Sequence, residues 1–142
     1  MIAKGYEVVK GQRMIEVFIL DDHPIVRQGL EKVLEEEPDM RLTGQAGTWL
    51  ELVELLESRT PDVIILDISM PDRSGMDVLK DLRSMYPQVP VLILSAHDEK
   101  QFAARTIKAG AAAYLSKMRV ADELVSAIRR VATQRAGGQS GE

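Results

Sequence analysis

The chain has 142 residues, a formal net charge of −4 and 45% hydrophobic residues, values typical of one globular domain with a substantial core. Its negative charge argues against a free-standing nucleic-acid binder, because phosphate contacts require clustered Lys and Arg. The lack of cysteine excludes disulfides and thiolate metal sites, and no apolar stretch reaches the roughly 18 residues of a membrane span. We therefore expect a cytoplasmic protein with no membrane contact.

Short apolar runs alternate with amphipathic stretches along the chain. Each run is too short for a typical helix and predicts a buried strand. In chain order, these strands are predicted at residues 15–20, 40–46, 62–67, 90–95 and 111–115. Each is followed by a predicted helix, and the helices begin near Pro24, Thr48, Ser74, Asp98 and Val120. Pro24 suits a first helical position, Thr48 with Glu51 forms a capping box, and Gly110 is a helix stop.

Five strand–helix units with apolar central strands predict an α/β fold, in which a parallel sheet is covered by helices on both faces. We assign residues 15–134 to this domain, 1–14 to an N-terminal extension and 135–142 to a Gly-rich, polar tail of linker type. The last helix is predicted to end at about Gln134. In such sheets, ligands bind at the carboxyl ends of the strands.

Polar side chains follow four of the predicted strands at that end. They are Asp21 and Asp22 after the first strand, Asp67 at the end of the third, Ser95 at the end of the fourth and Lys117 after the fifth. Adjacent carboxylates repel, and their burial is costly unless they are paired or bind a metal. Carboxylates without His or Cys favour a hard cation such as Mg²⁺. Asp67 is then a candidate nucleophile that forms an aspartyl phosphate, with Lys117 and Ser95 on the phosphoryl oxygens.

Four motifs in this order resemble the receiver domain of two-component response regulators, a CheY-like superfamily. They are "DDHP" after the first strand, "DISMPDRSG" around Asp67, "LILSAHD" and "AAAYLSK". The wording "LDDHPIVRQGL" and "LSAHDE" is most similar to the NarL/FixJ-type transcriptional regulators. The resemblance covers residues 15–134. It implies a flavodoxin-like, doubly wound sheet of five parallel strands in the order 2-1-3-4-5, with five helices.

By position, the resemblance makes Asp67 the phosphoacceptor. It places Mg²⁺ on Asp21, Asp22, Asp67 and the backbone carbonyl of Ser69, with Asp22 as the direct ligand of the acidic pair. Met70 and Pro71 would shape the following loop, and Gly75 would allow the tight turn into the third helix.

The resemblance also implies a switch. Ser95 would supply the hydroxyl that reaches the phosphoryl group, Tyr114 the aromatic ring that changes rotamer with it, and Lys117 a phosphate contact. His97 is expected at the rim of the site. Three of these residues have a simpler alternative role. Ser95 could bind a backbone group at the strand end, Tyr114 could be a half-buried aromatic of an edge strand, and Lys117 could be a surface lysine.

One position departs from the family pattern. Many receivers follow the lysine with a proline in cis, whereas Lys117 precedes Met118. A cis bond before a residue other than proline costs about 2.5–4 kcal/mol, so we expect a trans bond here. Other polar residues are given ordinary roles: His23 starts a helix and is no ligand, and Arg129 and Arg130 are solvated.

The function implied by the resemblance is a signalling switch and not a classical enzyme. A sensor histidine kinase that docks near the first helix would phosphorylate Asp67, and the change would spread to the face of the fourth helix, fifth strand and fifth helix, where a homodimer could form. DNA would be reached only through a downstream effector domain. The alternative is a stand-alone receiver that acts through protein contacts.

Two other classes share parts of this pattern. Mg²⁺-dependent phosphohydrolases of the haloacid dehalogenase type place the nucleophile on the first strand with a second Asp two residues later, whereas here the first-strand aspartates are adjacent and residue 69 is Ser. Flavodoxin-like FMN binders have a Gly- or Thr-rich first loop, whereas this loop is acidic.

Overall fold

The computed structural model describes the backbone of residues 8–9, 12–69, 74–96 and 100–141, and the side chains of 14–69, 74–96 and 100–133. Five strands form one parallel sheet: β1 (Ile15–Leu20), β2 (Met40–Ala46), β3 (Val63–Asp67), β4 (Val91–Ser95) and β5 (Ala113–Ser116). Their spatial order is β2-β1-β3-β4-β5, with every neighbouring pair parallel. This confirms the order 2-1-3-4-5. A separate antiparallel pair joins Val8–Val9 to Gln12–Arg13.

Five α-helices connect and follow these strands: α1 (Pro24–Glu35), α2 (Trp49–Ser58), α3 (Gly75–Met85), α4 (Lys100–Lys108) and α5 (Val120–Gly141). A short 3₁₀ turn, Lys117–Arg119, lies between β5 and α5. Buried residues of α1 and α5 pack on one face of the sheet, and those of α2 and α3 pack on the other, together with Phe102 of α4. The sheet is therefore covered on both sides, as its apolar strands predicted.

Two of the predicted helix signals are visible in the local geometry. The Thr48 hydroxyl accepts a hydrogen bond from the Glu51 backbone N–H at 3.2 Å, and the Glu51 carboxylate accepts one from the Gly47 N–H at 2.7 Å. Gly110 follows α4 with a φ of +113°, a left-handed conformation that favours glycine and ends the helix. Ser74 stands at the start of α3 without a side-chain capping bond.

The length of α5 and the partners of one arginine were not expected. α5 was expected to end at about Gln134 but continues to Gly141, through most of the segment interpreted as a linker-type tail. Arg129 is exposed, as expected, and its guanidinium also hydrogen-bonds Asp39 and Glu37, which lie between α1 and β2. The Lys117–Met118 bond is trans, as expected. Within the described part of the chain, every helix is too short or too polar to cross a lipid bilayer.

Candidate functional site

The carboxyl ends of three strands bring the predicted acidic and basic residues together. β1 and β3 are neighbours in register, with Leu20 opposite Leu66, so the residues that follow them lie side by side. Asp21 and Asp67 are buried there, with 0% and 1% of their surface exposed. The less buried Asp22 lies beside them. The sheet therefore presents three carboxylates at one edge.

Lys117 reaches this edge from the end of β5. Its Nζ lies 3.2 Å from Asp67 Oδ2 and 3.8 Å from Asp21 Oδ2, so one ammonium spans two buried carboxylates. The 3₁₀ turn that carries Lys117 is capped by Ser116, whose buried hydroxyl accepts a hydrogen bond from the Met118 backbone N–H at 3.2 Å. A proline at position 118 would lack that N–H, so the cap depends on the residue that departs from the family pattern.

His23 also enters the site, which the sequence analysis did not predict. It is the residue before α1, but its side chain makes no capping bond. Its ring Nδ1 lies 3.0 Å from Asp21 Oδ1, 3.1 Å from Asp22 Oδ1 and 3.9 Å from Asp67 Oδ2. The available signal was its place directly after the acidic pair in "DDHP".

The two carboxylate oxygens of Asp67 have different surroundings. Oδ1 accepts hydrogen bonds from the backbone N–H of Ser69 at 3.1 Å and from its hydroxyl at 2.9 Å. Oδ2 faces Lys117. Ser69 therefore orients Asp67, in addition to the carbonyl role that the resemblance implies for it.

The remaining predicted residues lie on β4 and β5. Ser95 is fully buried at the end of β4, in register with Ser116 of β5. Tyr114 is half-buried on β5 and makes an edge-to-face contact with Phe102 of α4, with ring centroids 6.1 Å apart. The roles of both in switching stay predictions. His97, Met70 and Pro71 lie outside the described residues.

The site carries unsatisfied negative charge. Burial raises the pKa of the Asp21 carboxyl above its usual value. The hydrogen bond from the His23 backbone N–H lowers this pKa, and the nearby charge of Asp67 raises it further. Among the described residues, Asp21 Oδ2, Asp22 Oδ1 and Asp67 Oδ2 are buried and make no hydrogen bond of good geometry; the Lys117 ammonium lies 3.2 Å from Asp67 Oδ2, and His23 Nδ1 lies 3.1 Å from Asp22 Oδ1. Oxygen atoms in this state are suited to a cation.

Comparison with known proteins identifies the family. The family model of the response regulator receiver domain matches residues 17–129. This chain belongs to the response regulator receiver family. That membership favours a receiver over the phosphohydrolase and the FMN binder.

Curated relatives of this receiver are named as regulators. It is 38% identical over 121 residues to the transcriptional regulatory protein DegU of Brevibacillus brevis. The matched region covers 85% of this chain and 51% of DegU. It is 35% identical over 118 residues to the response regulator UvrY of Escherichia coli strain K12, covering 83% of this chain and 54% of UvrY. The chain thus spans about half the length of these relatives.

Solved structures of receivers have the same fold. A two-component response regulator of the LuxR family from Aurantimonas superposes with a TM-score of 0.80 and 30% identity, over 86% of this chain and 87% of that one. The receiver domain of the putative response regulator NarL from Mycobacterium tuberculosis superposes with a TM-score of 0.75 and 32% identity, over 84% of this chain and 97% of that one. These likenesses confirm the NarL-type receiver predicted from the motifs.

Proposed function

We propose that this receiver is phosphorylated on Asp67 by a sensor histidine kinase in a Mg²⁺-dependent reaction in the cytoplasm, and that the aspartyl phosphate switches its output surface. One observation carries the proposal. Asp67 is buried at the site, and its Oδ2 makes no hydrogen bond of good geometry among the described residues but lies 3.2 Å from the Lys117 ammonium.

The donor set fits a hard divalent cation. Asp21 Oδ2 and Asp22 Oδ1 are buried there and make no hydrogen bond of good geometry among the described residues, and Mg²⁺ prefers oxygen ligands. Asp21, Asp22 and Asp67 would hold the ion, with the Ser69 carbonyl as a further ligand. When bound, Mg²⁺ would neutralise charge that develops on the phosphoryl oxygens.

The protein's own residues account for the attack on phosphorus. Ser69 binds Asp67 Oδ1 through two hydrogen bonds, which fixes the carboxylate and leaves Oδ2 as the nucleophile. A bond forms between Oδ2 and phosphorus as the bond from phosphorus to the donor's leaving atom breaks. Lys117 Nζ, already beside Oδ2, then contacts a phosphoryl oxygen. Later attack of water on phosphorus restores the carboxylate, so the domain catalyses only its own phosphorylation and dephosphorylation.

The route from the site to the surface runs through β4 and β5. We propose that the Ser95 hydroxyl moves to the phosphoryl group and that Tyr114 changes rotamer into the space behind it. Because Tyr114 packs edge-on against Phe102, that change alters a contact with α4. This supports an output face made of α4, β5 and α5, and we propose the same face for a homodimer.

An apolar groove beside the site supports kinase docking near α1. It lies between α1 and the start of α5 and is lined by Val26, Leu30, Met118 and Ala121, with Lys117 at its edge. Met118 is 86% exposed, and Ile25 on α1 is 78% exposed. A kinase helix seated there would bring its phosphohistidine close to Asp67.

The curated relatives support an output through DNA binding. Both are named as regulators, and this chain spans about half of each. We propose that the switch controls a DNA-binding effector domain in the whole protein. A stand-alone receiver that acts through protein contacts is the alternative, and the full-length gene distinguishes the two.

Phosphorylation is tested by intact mass after incubation with acetyl phosphate and Mg²⁺. We expect one phosphoryl adduct on the wild type, none after chelation of the metal and none on Asp67→Asn. Asp62→Asn is the matched control, because Asp62 is a buried carboxylate at the opposite end of β3 that binds the Glu16 N–H. It should keep the adduct. An adduct that persists in Asp67→Asn would show that another residue is the acceptor.

A further inference from the structure

Lys117 lies on a short turn whose side chains are not packed into the core. The 3₁₀ turn Lys117–Arg119 joins the end of β5 to the start of α5, and none of its three residues is buried. Met118 is 86% exposed, and the Arg119 side chain is 57% exposed and pairs with Glu123 on the surface. Exposed ion pairs contribute little to stability. The conformation of the turn therefore depends on the hydrogen bonds of its backbone.

One hydroxyl group bonds across the backbone of Lys117. Ser116 is the last residue of β5, and it is 3% exposed with an extended backbone. Its Oγ accepts a hydrogen bond from the Met118 backbone N–H at 3.2 Å. Serine commonly makes this kind of bond where a helical turn begins. Because the bond closes a ring that includes the Lys117 backbone, it restricts the φ and ψ angles of that residue.

The sheet fixes the position of this hydroxyl. Ser116 on β5 is in register with Ser95 on β4, so its backbone belongs to the parallel ladder. The preceding residue, Leu115, is 5% exposed and packs in the core with residues of α5. Side chains that belong to strands are positioned more precisely than those on loops. Ser116 therefore connects a rigid element to a turn that is otherwise exposed.

The ammonium of Lys117 requires such precision. Its Nζ lies 3.2 Å from Asp67 Oδ2 and 3.8 Å from Asp21 Oδ2. A lysine side chain loses much rotamer freedom when its ammonium is held in one place. A backbone that also moved would add to this loss and would displace the ammonium from the carboxylates. The bond from Met118 to Ser116 removes that additional freedom.

We propose that Ser116 is a positioning residue, whose hydroxyl fixes the turn so that Lys117 meets the phosphoryl group received by Asp67. The reaction in this inference rests on the proposed function, whereas the positioning rests on the hydrogen bond across the turn. Since Lys117 contacts a phosphoryl oxygen during transfer, loss of the hydroxyl should slow phosphorylation in addition to lowering stability.

The rate of adduct formation from acetyl phosphate and Mg²⁺, followed by intact mass, tests this in the wild type, Ser116→Ala and Ser116→Thr. We expect Ser116→Ala to react about tenfold more slowly, because a small displacement of a contacting group has a large effect on rate. Threonine keeps the hydroxyl, so Ser116→Thr should recover most of the rate. Thr48→Ala is the matched control, because the Thr48 hydroxyl accepts from the Glu51 N–H, also at 3.2 Å, at the start of α2. It should lower stability without slowing the reaction.

Stability in chelator tests the positioning without the reaction. Urea unfolding of Ser116→Ala, Lys117→Met and the double variant gives a double-mutant cycle. If the hydroxyl keeps Lys117 beside Asp67, the changes in the free energy of unfolding should not add, because a displaced ammonium has already lost its contacts. The same cycle with Thr48→Ala in place of Ser116→Ala should be additive.

The proposal would be overturned by additive effects of Ser116→Ala and Lys117→Met, or by a wild-type rate in Ser116→Ala. An equally slow Thr48→Ala would also overturn it, as would a Ser116→Thr variant that is as stable as the wild type but as slow as Ser116→Ala. The two ideas fail separately. No adduct on the wild type, with effects that do not add, would reject Asp67 as the phosphoacceptor alone. A normal wild-type adduct, with additive effects, would reject the positioning role alone.

Discussion

At the scale of single residues, the site favours function at the expense of stability. Asp21 is fully buried, and burial raises its pKa because the ionised form has lost its water. The raised pKa means that the folded state binds a proton more readily than the unfolded chain does. Above the ordinary pKa of aspartate, Asp21 therefore lowers the free energy of unfolding.

Asp21→Asn should accordingly stabilise the metal-free domain. We expect its free energy of unfolding in chelator to rise by about 1 kcal/mol, a gain usual for relief of a destabilised functional site. The same variant should lose the stabilisation that Mg²⁺ gives the wild type, because a ligand has been removed. Urea unfolding with and without Mg²⁺ measures both effects. Asp22→Asn, at a more exposed position, should stabilise less, and a less stable Asp21→Asn in chelator would contradict the argument.

At the scale of elements, the sequence predicted most of what positions the site. Alternating apolar runs located all five strands, and strand-end residues located Asp21, Asp67 and Lys117, because parallel strands bring their carboxyl ends to one edge. The direction of the His23 ring was not predictable, since it depends on the turn between β1 and α1. The full extent of α5 was missed as well, because its Gly-containing end has low helix propensity.

Gly75 is an element-scale position where a side chain cannot fit. A Cβ at this residue would lie 2.6 Å from the Cα and 2.7 Å from the Cδ1 of Ile68, so the first turn of α3 packs directly on the residue after Asp67. We expect Gly75→Ala to lower the free energy of unfolding by about 1–3 kcal/mol, as overpacking does. The displacement of Ile68 should also slow phosphorylation of Asp67.

Gly29 provides the matched control for that substitution. It lies inside α1, and a Cβ there would meet nothing within 4 Å. Gly29→Ala should therefore raise the free energy of unfolding by about 0.5–1 kcal/mol, since alanine is the better helix former. Denaturant unfolding of both variants compares them directly. A neutral Gly75→Ala would mean that the contact with Ile68 relaxes without cost.

At the scale of the whole molecule, one arginine joins parts of the chain that are distant in sequence. Arg129 of α5 donates to both carboxylate oxygens of Asp39, at 2.8 and 2.9 Å, and to Glu37 at 2.6 Å. The acceptors lie about 90 residues earlier, between α1 and β2. Sequence spacing indicates ion pairs within one helix but not partners this far apart, which is why the contacts of Arg129 with Asp39 and Glu37 were not predicted.

This contact should make a small, pH-dependent contribution to stability. The hydrogen bonds from Arg129 lower the pKa of Asp39 below its ordinary value of 3.8. Because a lowered pKa stabilises the ionised folded state, the contribution is fully present above the ordinary pKa and is lost as pH falls through the lowered one. The two side chains are 44% and 28% exposed, so solvent screening limits the effect. We expect Arg129→Gln to cost about 1 kcal/mol or less at neutral pH.

Urea unfolding of the wild type, Arg129→Gln and Arg130→Gln over a range of pH measures that contribution. Arg130 is the exposed neighbour on α5, so its replacement changes the net charge equally and should leave stability nearly unchanged. The difference in the free energy of unfolding between the wild type and Arg129→Gln should be constant from neutral pH down to about the ordinary pKa of aspartate. Below that pH this gap should close. Added salt should narrow the gap at neutral pH. A gap that widens as the pH falls, or one of equal size for Arg130→Gln, would show that Arg129 acts through general charge and not through Asp39.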